Sequence, residues 1–331
     1  MKGLKKFIAA AIAIGIVGGA TGCQLISKTP EGEKKTVVAK VNNENITKGE
    51  FQKRWDSTLA QLEAMYGKEA LQSAQAQEEL KSQKSGLLDS MVMDKIMMQK
   101  AKELNVIPDE NTLKQEIDKK IDEMIKLAGS KDNFKKFLDQ VKLTEEDYRE
   151  MAKTQIIFDK LEESLTKDVT VSDSEVKKYY DENKYEYTTE PNKMHVAHIL
   201  VKDLALATKI KEEYDKGAKF EDLAKKYGTD GTKDSGGDLG EVPYVDSGFD
   251  QDFMDAAIKV SKGQVSQPVK TQFGYHLIKI IDKKEYPVKP FDSVKNEIKN
   301  KLLEEKKSSI IEQKETEWKN NSKIKKYEDR I

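Results

Sequence analysis

The chain has 331 residues, of which 37% are hydrophobic and 35% charged, and its 58 basic and 59 acidic residues give a net charge of −1. This length exceeds what one hydrophobic core usually holds, so we expect at least two domains. The even charge balance excludes a general electrostatic attraction to nucleic acid, and the single cysteine, Cys23, excludes an intramolecular disulfide.

The first 22 residues have the pattern of an export signal. Three lysines precede residue 7, and residues 7–20 then contain no charged side chain. A basic start followed by a short apolar run is typical of a secretory signal peptide, whereas a membrane-spanning helix needs about 20 apolar residues. We therefore predict that residues 1–22 are a signal peptide, with a transmembrane anchor or a buried helix as the alternatives.

The sequence Ala-Thr-Gly-Cys at residues 20–23 resembles a bacterial lipobox, in which the cysteine thiol accepts a diacylglycerol and becomes the mature N-terminus. Ala20 stands where lipoboxes usually have leucine, and an ordinary signal peptide with an incidental cysteine is the alternative. The resemblance implies lipidation at Cys23, which would hold the protein in the cell membrane on its extracytoplasmic face. Residues 23–36, which are mostly polar, are predicted to be a lipidated N-terminus and tether.

Residues 37–189 are predicted to form a helical N-terminal domain. A strand-like run at residues 36–41 comes first. Thr47 and Glu50 then have the spacing of a capping box, which satisfies free N–H groups at the start of a helix, and a second box begins at Ser172. Helical apolar stripes rich in methionine follow the first box. We predict that most of these methionines are core residues, with a flexible groove for unfolded chains as the alternative.

Residues 190–284 have a different character and are predicted to form an α+β domain, with a small sheet surrounded by helices. The β-branched and aliphatic residues at 194–201 predict a buried strand. The other predicted elements are helices at 204–216, 220–227 and 253–260, a glycine-rich loop at 228–240, and strands at 265–269 and 273–281.

Residues 285–331 return to a long charged helix. Val294, Ile298 and Leu302 recur there at helical spacing, and we expect this segment to pack on the N-terminal domain. The α+β domain would then be inserted into a mainly α-helical domain, an arrangement that surface loops tolerate well.

Two of the three histidines occupy matching places in the α+β domain. His198 lies in its first strand and His276 in its last, and Asp230 lies in the glycine-rich loop between them. If the two strands are neighbours, both imidazoles can face the same side of the sheet. On residue types alone, core histidines and a turn aspartate are the better interpretation, and His195 is predicted to be a surface strand residue.

Five short motifs in this order resemble those of the parvulin peptidyl-prolyl isomerases. They are H-I-L-V from residue 198, F-x-x-L-A-x-x-Y from 220, G-G-D-L-G from 236, P-V-K-T-Q from 268 and F-G-Y-H from 273. Five ordered motifs are far more specific than one. With its leader and flanking helices, the whole chain is similar to foldase lipoproteins of the PrsA type. The resemblance implies a parvulin-like domain inserted in a chaperone-like helical domain.

The resemblance also implies site residues from their positions in these motifs. His198, Asp230 and His276 fall at catalytic positions, with the histidines forming a hydrogen-bonded pair. Phe249 and Phe253, which are implied to line a proline slot, are four residues apart and could instead be core residues of a helix. The residues implied to bind the substrate are Leu239, Phe249, Phe253, Thr271 and Phe273.

The chemistry that this family performs needs neither a cofactor nor a metal. Rotation about an X–Pro bond breaks no bond, but its barrier is about 18–20 kcal/mol and it takes tens to hundreds of seconds uncatalysed. An apolar slot for the proline ring and polar groups that favour the twisted amide are sufficient. Our hypothesis is that the histidines orient Asp230 through hydrogen bonds rather than transfer protons. No Arg/Lys cluster occurs at residues 228–240, which argues against phosphoserine-directed specificity.

The sequence therefore predicts a membrane-anchored foldase that isomerises X–Pro bonds in unfolded or partly folded exported proteins. The alternative is a non-catalytic holdase chaperone that uses its helical domain and keeps the parvulin-like domain as a peptide-binding module. A solute-binding lipoprotein is disfavoured, since it would need two α/β lobes. We expect no nucleic-acid partner, and homodimer formation is left open.

Overall fold

The computed structural model describes residues 30–331, so the predicted signal peptide and Cys23 lie outside the described residues. The chain divides into two compact units. The first comprises residues up to Val169 together with Glu305–Ile331, and the second comprises Thr170–Glu304. The domain limits drawn from the sequence, at residues 189/190 and 284/285, stay predictions.

A three-stranded antiparallel sheet joins the two ends of the first unit. Its strands are β1 (Val37–Val41), β2 (Glu44–Thr47) and β7 (Ile324–Lys326), in the order β2-β1-β7. Asn42 adopts a left-handed conformation with φ +54° in the turn between β1 and β2, and its side chain donates to Gln99 and accepts from the Lys323 backbone N–H. The end of the chain therefore completes the sheet that its beginning starts.

Helices make up the rest of the first unit. Thr47 and Thr144 start two of them with capping boxes, as the sequence predicts for Thr47. Met91 and Met97 are buried, as predicted for most methionines, whereas Met65 is exposed. The helices are α1 (Pro30–Lys34), α2 (Lys48–Tyr66), α3 (Ala74–Glu103), α4 (Glu110–Ala128), α5 (Lys131–Gln140) and α6 (Glu145–Thr166), with the second half of α11 (Phe291–Asn321).

The second unit is built on a four-stranded antiparallel sheet with the order β4-β3-β6-β5. This confirms the predicted α+β class. Its strands are β3 (Lys193–Val201), β4 (Asp238–Pro243), β5 (Val269–Thr271) and β6 (Gly274–Lys284), and its helices are α7 (Asp173–Glu182), α8 (Leu204–Asp215), α9 (Phe220–Tyr227), α10 (Gln251–Lys259) and the first half of α11.

Two sequence predictions for this sheet were wrong in detail. The segment predicted as a glycine-rich loop, residues 228–240, includes the first residues of strand β4. A strand was predicted at residues 265–269, but the observed strand β5 covers Val269–Thr271. Only Val242 of β4 is buried, and Gly240 has a positive φ, so the alternation that marks a strand is weak there. Val265 makes an isolated bridge to Lys279 rather than a strand.

Different helices pack on the two faces of this sheet. On one face, α10 packs through Phe253, Met254 and Ala257 against Val196 and Ile278. On the other face, α8 and α9 pack against Ala197, Ile199 and Leu277. Even-numbered positions of β3 therefore face α10, and His198 is one of them. Within residues 30–331, no helix has both the length and the apolar character that crossing a membrane requires.

Candidate active site

The pairing of the two central strands brings the histidines together on the face covered by α10. Leu200 lies opposite His276, and His198 lies opposite Ile278, so the two histidines are diagonal neighbours. Both are buried, and their Nδ1 atoms are 3.0 Å apart. The two rings stack with an interplanar angle of 19°.

Asp230 reaches this pair from the loop after α9. Its Oδ2 atom lies 2.5 Å from Nε2 of His198, although the approach is too bent for a regular hydrogen bond. Its Oδ1 atom accepts hydrogen bonds from the backbone N–H of Thr232 at 3.0 Å and from the Thr232 hydroxyl at 2.7 Å. The carboxylate is therefore held on one oxygen and directed at His198 with the other.

Thr271 occupies the opposite end of the same series of polar groups. Its Oγ1 atom lies 2.9 Å from Nε2 of His276 and also accepts a hydrogen bond from the backbone N–H of Phe273. Thr271 is buried at the end of β5, where Gly274 of β6 is its partner. The four side chains thus run Thr271, His276, His198, Asp230 across the sheet.

The protons in this series can be assigned from the donors that each group has. Burial lowers the pKa of His276 to about 4, and the neighbouring His198 adds to the effect. Burial also lowers the pKa of His198, although Asp230 opposes this, so both rings are neutral at pH 7. Burial would raise the pKa of Asp230, but the hydrogen bonds from Thr232 and the close approach of His198 outweigh it and lower the pKa.

An ionised Asp230 can only accept, so the proton of His198 belongs on Nε2 and its Nδ1 accepts. His276 must then donate from Nδ1 and accept at Nε2 from the Thr271 hydroxyl. The result is a series of hydrogen bonds that runs in one direction, from Thr271 to His276 to His198, and His198 then makes a close charge contact with Asp230.

An apolar surface lies against the histidine pair. The buried Phe253 ring is 5.8 Å from the His198 ring and 5.3 Å from the His276 ring, both edge to face. Phe249 stacks on Phe253 at 5.5 Å and is 39% exposed. Leu239 packs against the same cluster. A buried ring with a partly open ring beside it is suited to hold a small apolar group of a ligand.

The structure brings most of the residues named from the sequence into one place. Phe273 differs, because it is 66% exposed and stands at the rim of the site. His195 is a half-exposed strand residue paired with Asp238 at 2.8 Å, away from the histidine pair. Cys23 lies outside the described residues.

Two residues that position the site were missed from the sequence. Thr232 holds Asp230, and its signal was the Asp-x-Thr spacing, in which an aspartate bonds the chain two residues later. Gly237 accepts a hydrogen bond from the His198 backbone N–H through its carbonyl oxygen. Its φ of +83° and its close approach to His198 leave no room for a side chain, which the sequence alone does not reveal.

Comparisons with known proteins assign both halves of the chain. A family model described as "PPIC-type PPIASE domain" matches residues 171–296, and one described as "SurA-like N-terminal domain" matches residues 2–162. A foldase protein PrsA from Clostridium botulinum strain Okra is 44% identical over 99% of both chains. The chain belongs to the PrsA foldase family.

Two other PrsA proteins are similar to this chain. A foldase protein PrsA from Clostridium kluyveri is 40% identical over the full length of both chains. A crystal structure of the peptidylprolyl isomerase PrsA from Bacillus anthracis is 30% identical, covers 71% of this chain and 97% of its own, and has a TM-score of 0.33. The two family models and the full-length PrsA relatives show a foldase with a SurA-like helical part and a parvulin-type peptidyl-prolyl isomerase domain, which lies within the second compact unit.

Proposed function

We propose that this PrsA foldase isomerises X–Pro bonds through His198, His276, Asp230 and Thr271, with the proline ring held against Phe253. The observation that carries the proposal is the unbroken series of polar contacts from Thr271 to Asp230 directly beneath an apolar surface. No covalent bond is broken in this reaction. It is therefore sufficient that the site binds the twisted amide more tightly than the planar amide.

The proposed division of labour follows from the charges. Asp230 keeps its negative charge next to the peptide and interacts with the carbonyl carbon as the amide rotates and loses resonance. The two neutral histidines and Thr271 fix the direction of Asp230 and do not exchange protons with the substrate. Phe249 and Leu239 complete the slot on either side of Phe253, and Phe273 contacts the peptide at the rim.

A test of the slot is available at Phe249, because its ring is partly exposed and its loss should leave the fold intact. We would measure cis–trans exchange of an Ala-Pro peptide by NMR with residues 24–331. Phe249→Ala is expected to lower the catalysed rate about tenfold, since a ring contact worth about 1–1.5 kcal/mol is lost. Phe137→Ala, at a ring that is 43% exposed in the first unit, is the matched control and should retain the rate. Equal rates in both variants would remove Phe249 from the proposal.

We further propose that Cys23 carries a lipid and holds the foldase on the outer face of the cell membrane, where its clients are unfolded or partly folded exported proteins. The support is the leader sequence that ends in Ala-Thr-Gly-Cys. Cys23→Ser should release the protein from the membrane fraction into the medium. Retention of the variant in the membrane would contradict anchoring at this residue. Sedimentation of residues 24–331 would decide whether the protein forms the homodimer that the sequence leaves open.

A further inference from the structure

A fixed carboxylate stands at the rim of the site. Asp250 caps the start of α10, the helix that carries Phe253, by accepting a hydrogen bond from the Asp252 backbone N–H at 3.0 Å. Its other oxygen lies 3.5 Å from Nε2 of Gln272, which sits between Thr271 and Phe273. Asp250 therefore connects the two segments that flank the slot, and its charge is held in place.

The loops around the slot carry an excess of negative charge. Residues 228–237 and 245–252 contain five aspartates and one lysine, Lys233. Lys270 is close in sequence, but it pairs with Tyr275 on β6, whereas Val269 pairs with His276. Its side chain therefore lies on the opposite face of the sheet from the histidines. Asp230 and Asp250 both act to raise the pKa of His276, against the larger effect of burial.

We infer that the site selects X–Pro segments with a lysine or arginine next to the proline and disfavours segments with an aspartate or glutamate there. The inference rests on the proposed function, because the slot and the polar series define where the peptide lies. The aspartates then determine which peptides bind best. At physiological salt, charges interact appreciably when they are within a screening length of about 8–10 Å of each other. A cationic side chain is attracted by Asp230 and Asp250, and an anionic one is repelled.

The test compares three peptides that differ only before the proline: Ala-Lys-Pro-Phe, Ala-Gln-Pro-Phe and Ala-Glu-Pro-Phe. Catalysed exchange is measured by NMR with residues 24–331 at about 20 mM salt and again at about 0.5 M salt. We expect kcat/KM for the lysine peptide to exceed that for the glutamate peptide by about tenfold at low salt, with the glutamine peptide between them. At high salt the ratio should fall by at least half.

Two variants assign the selectivity to a residue. Asp250→Asn removes the charge and keeps a good helix cap, so the fold is retained. It should lower the lysine-to-glutamate ratio about threefold. Asp255→Asn makes the same charge change one turn later on the exposed side of α10, and should leave the ratio unchanged.

Each outcome has a distinct meaning. If none of the three peptides is accelerated, the proposed function is refuted and the inference is refuted with it. Equal acceleration of all three, independent of salt, would keep the proposed function and overturn the inference. An equal loss of selectivity in Asp250→Asn and Asp255→Asn would show an effect of net charge alone and would overturn the role of Asp250.

Discussion

At the scale of single residues, the site depends on how Asp230 is held. Thr232 contributes two hydrogen bonds to one carboxylate oxygen, and His198 faces the other. Hydrogen bonds to the charged form of a carboxyl favour that form, which is why the pKa of Asp230 lies below its usual value despite burial. Thr232 is thus a positioning residue that acts through Asp230.

Thr232→Val should weaken catalysis chiefly at acid pH. The variant loses the hydroxyl donor to Asp230, so the pKa of Asp230 rises and the carboxylate is neutralised at a higher pH than in the wild type. The acid limb of kcat/KM should therefore move upward in pH, with a cost of about 1–2 kcal/mol in stability. Thr232→Ser keeps the hydroxyl and should restore the wild-type profile. An acid limb that stays in place in Thr232→Val would show that Thr232 acts on the fold only.

His276 should make the stability of the second unit depend on pH. Its pKa is about 4 when folded and 6.5 ordinarily, so between these values the unfolded chain binds more protons. Stability is therefore lost as the pH falls from about 6.5 toward 4, by at most about 3 kcal/mol from this group. Denaturant unfolding at pH 7 and pH 4.5 should show a smaller loss in His276→Gln than in the wild type. His195→Gln, on the exposed part of β3, is the control, and equal losses in all three proteins would refute the assignment.

The residues that we propose to carry the chemistry could be named from the sequence, but the hydrogen bonds between them could not. His198, Asp230 and His276 follow from ordered motifs, because such motifs preserve residue type at fixed places. The direction of these hydrogen bonds depends on the burial of His276 and on the contact between its Nε2 atom and the Thr271 hydroxyl. Both are defined only once the sheet has folded. Asp250 gave no signal at all, since an aspartate before a helix is expected as a cap whatever its surroundings.

At the scale of elements, the close packing of β4 against β3 sets the position of His198. The Gly237 carbonyl accepts from the His198 backbone N–H at 2.8 Å, immediately before β4 begins. A β-bulge between Val196 and Ala197 interrupts the pairing of the two strands at this point. A Cβ at Gly237 would overlap the carbonyl oxygen of His198, and φ there is +83°. The glycine is therefore required by geometry rather than by flexibility.

Gly237→Ala should displace His198 and lower isomerase activity by at least tenfold, with a loss of about 2–4 kcal/mol in stability from overlap and a strained φ. Gly231 is in the same loop, has no positive φ and has no atom within 4 Å of an added Cβ, so Gly231→Ala should keep the isomerase activity and the stability of the wild type. Exchange NMR and denaturant unfolding measure the two quantities. A fully active Gly237→Ala would mean that the approach of the two strands does not set the position of His198.

Helices were predicted from the sequence more accurately than strands. The structure confirms the predicted caps at Thr47 and Ser172, because a capping box is a local interaction between residues three apart. Strand β4 was missed because its pairing with β3 joins residues more than 40 positions apart, and its glycines hide the alternation. Local signals thus set the helices, whereas the sheet depends on distant partners.

At the scale of the whole molecule, contacts between distant segments hold the second unit, Thr170–Glu304, together. An apolar cluster holds residues before β3 and after β6 together, with Val176 and Ile298 fully buried in it. The Tyr180 hydroxyl donates to the Lys289 carbonyl, and the Tyr286 N–H donates to the side chain of Asn192, which is 4% exposed. These contacts join segments about 100 residues apart, so no local pattern could locate them.

A piece of the chain that ends at residue 284 should therefore be less stable than one that includes this cluster. Residues 190–284 leave the buried Asn192 oxygen without the Tyr286 donor, at a cost of about 1–3 kcal/mol. Residues 170–304 should restore the full free energy of unfolding, and residues 190–289 should restore part of it. Equal stability of all three pieces in denaturant would show that the shorter limits define the domain.

The most direct test of the proposed site is the charge of Asp230. Cis–trans exchange of an Ala-Pro peptide would be measured by NMR with residues 24–331 as wild type, Asp230→Asn and Asp255→Asn. Both variants lose one negative charge, and asparagine keeps the size of the side chain. We predict that Asp230→Asn loses at least tenfold in catalysed exchange, roughly 1.4 kcal/mol in the barrier, while Asp255→Asn stays within about twofold of the wild type. A wild-type rate in Asp230→Asn would contradict the central claim that this carboxylate, held by Thr232 and facing His198, acts on the rotating amide.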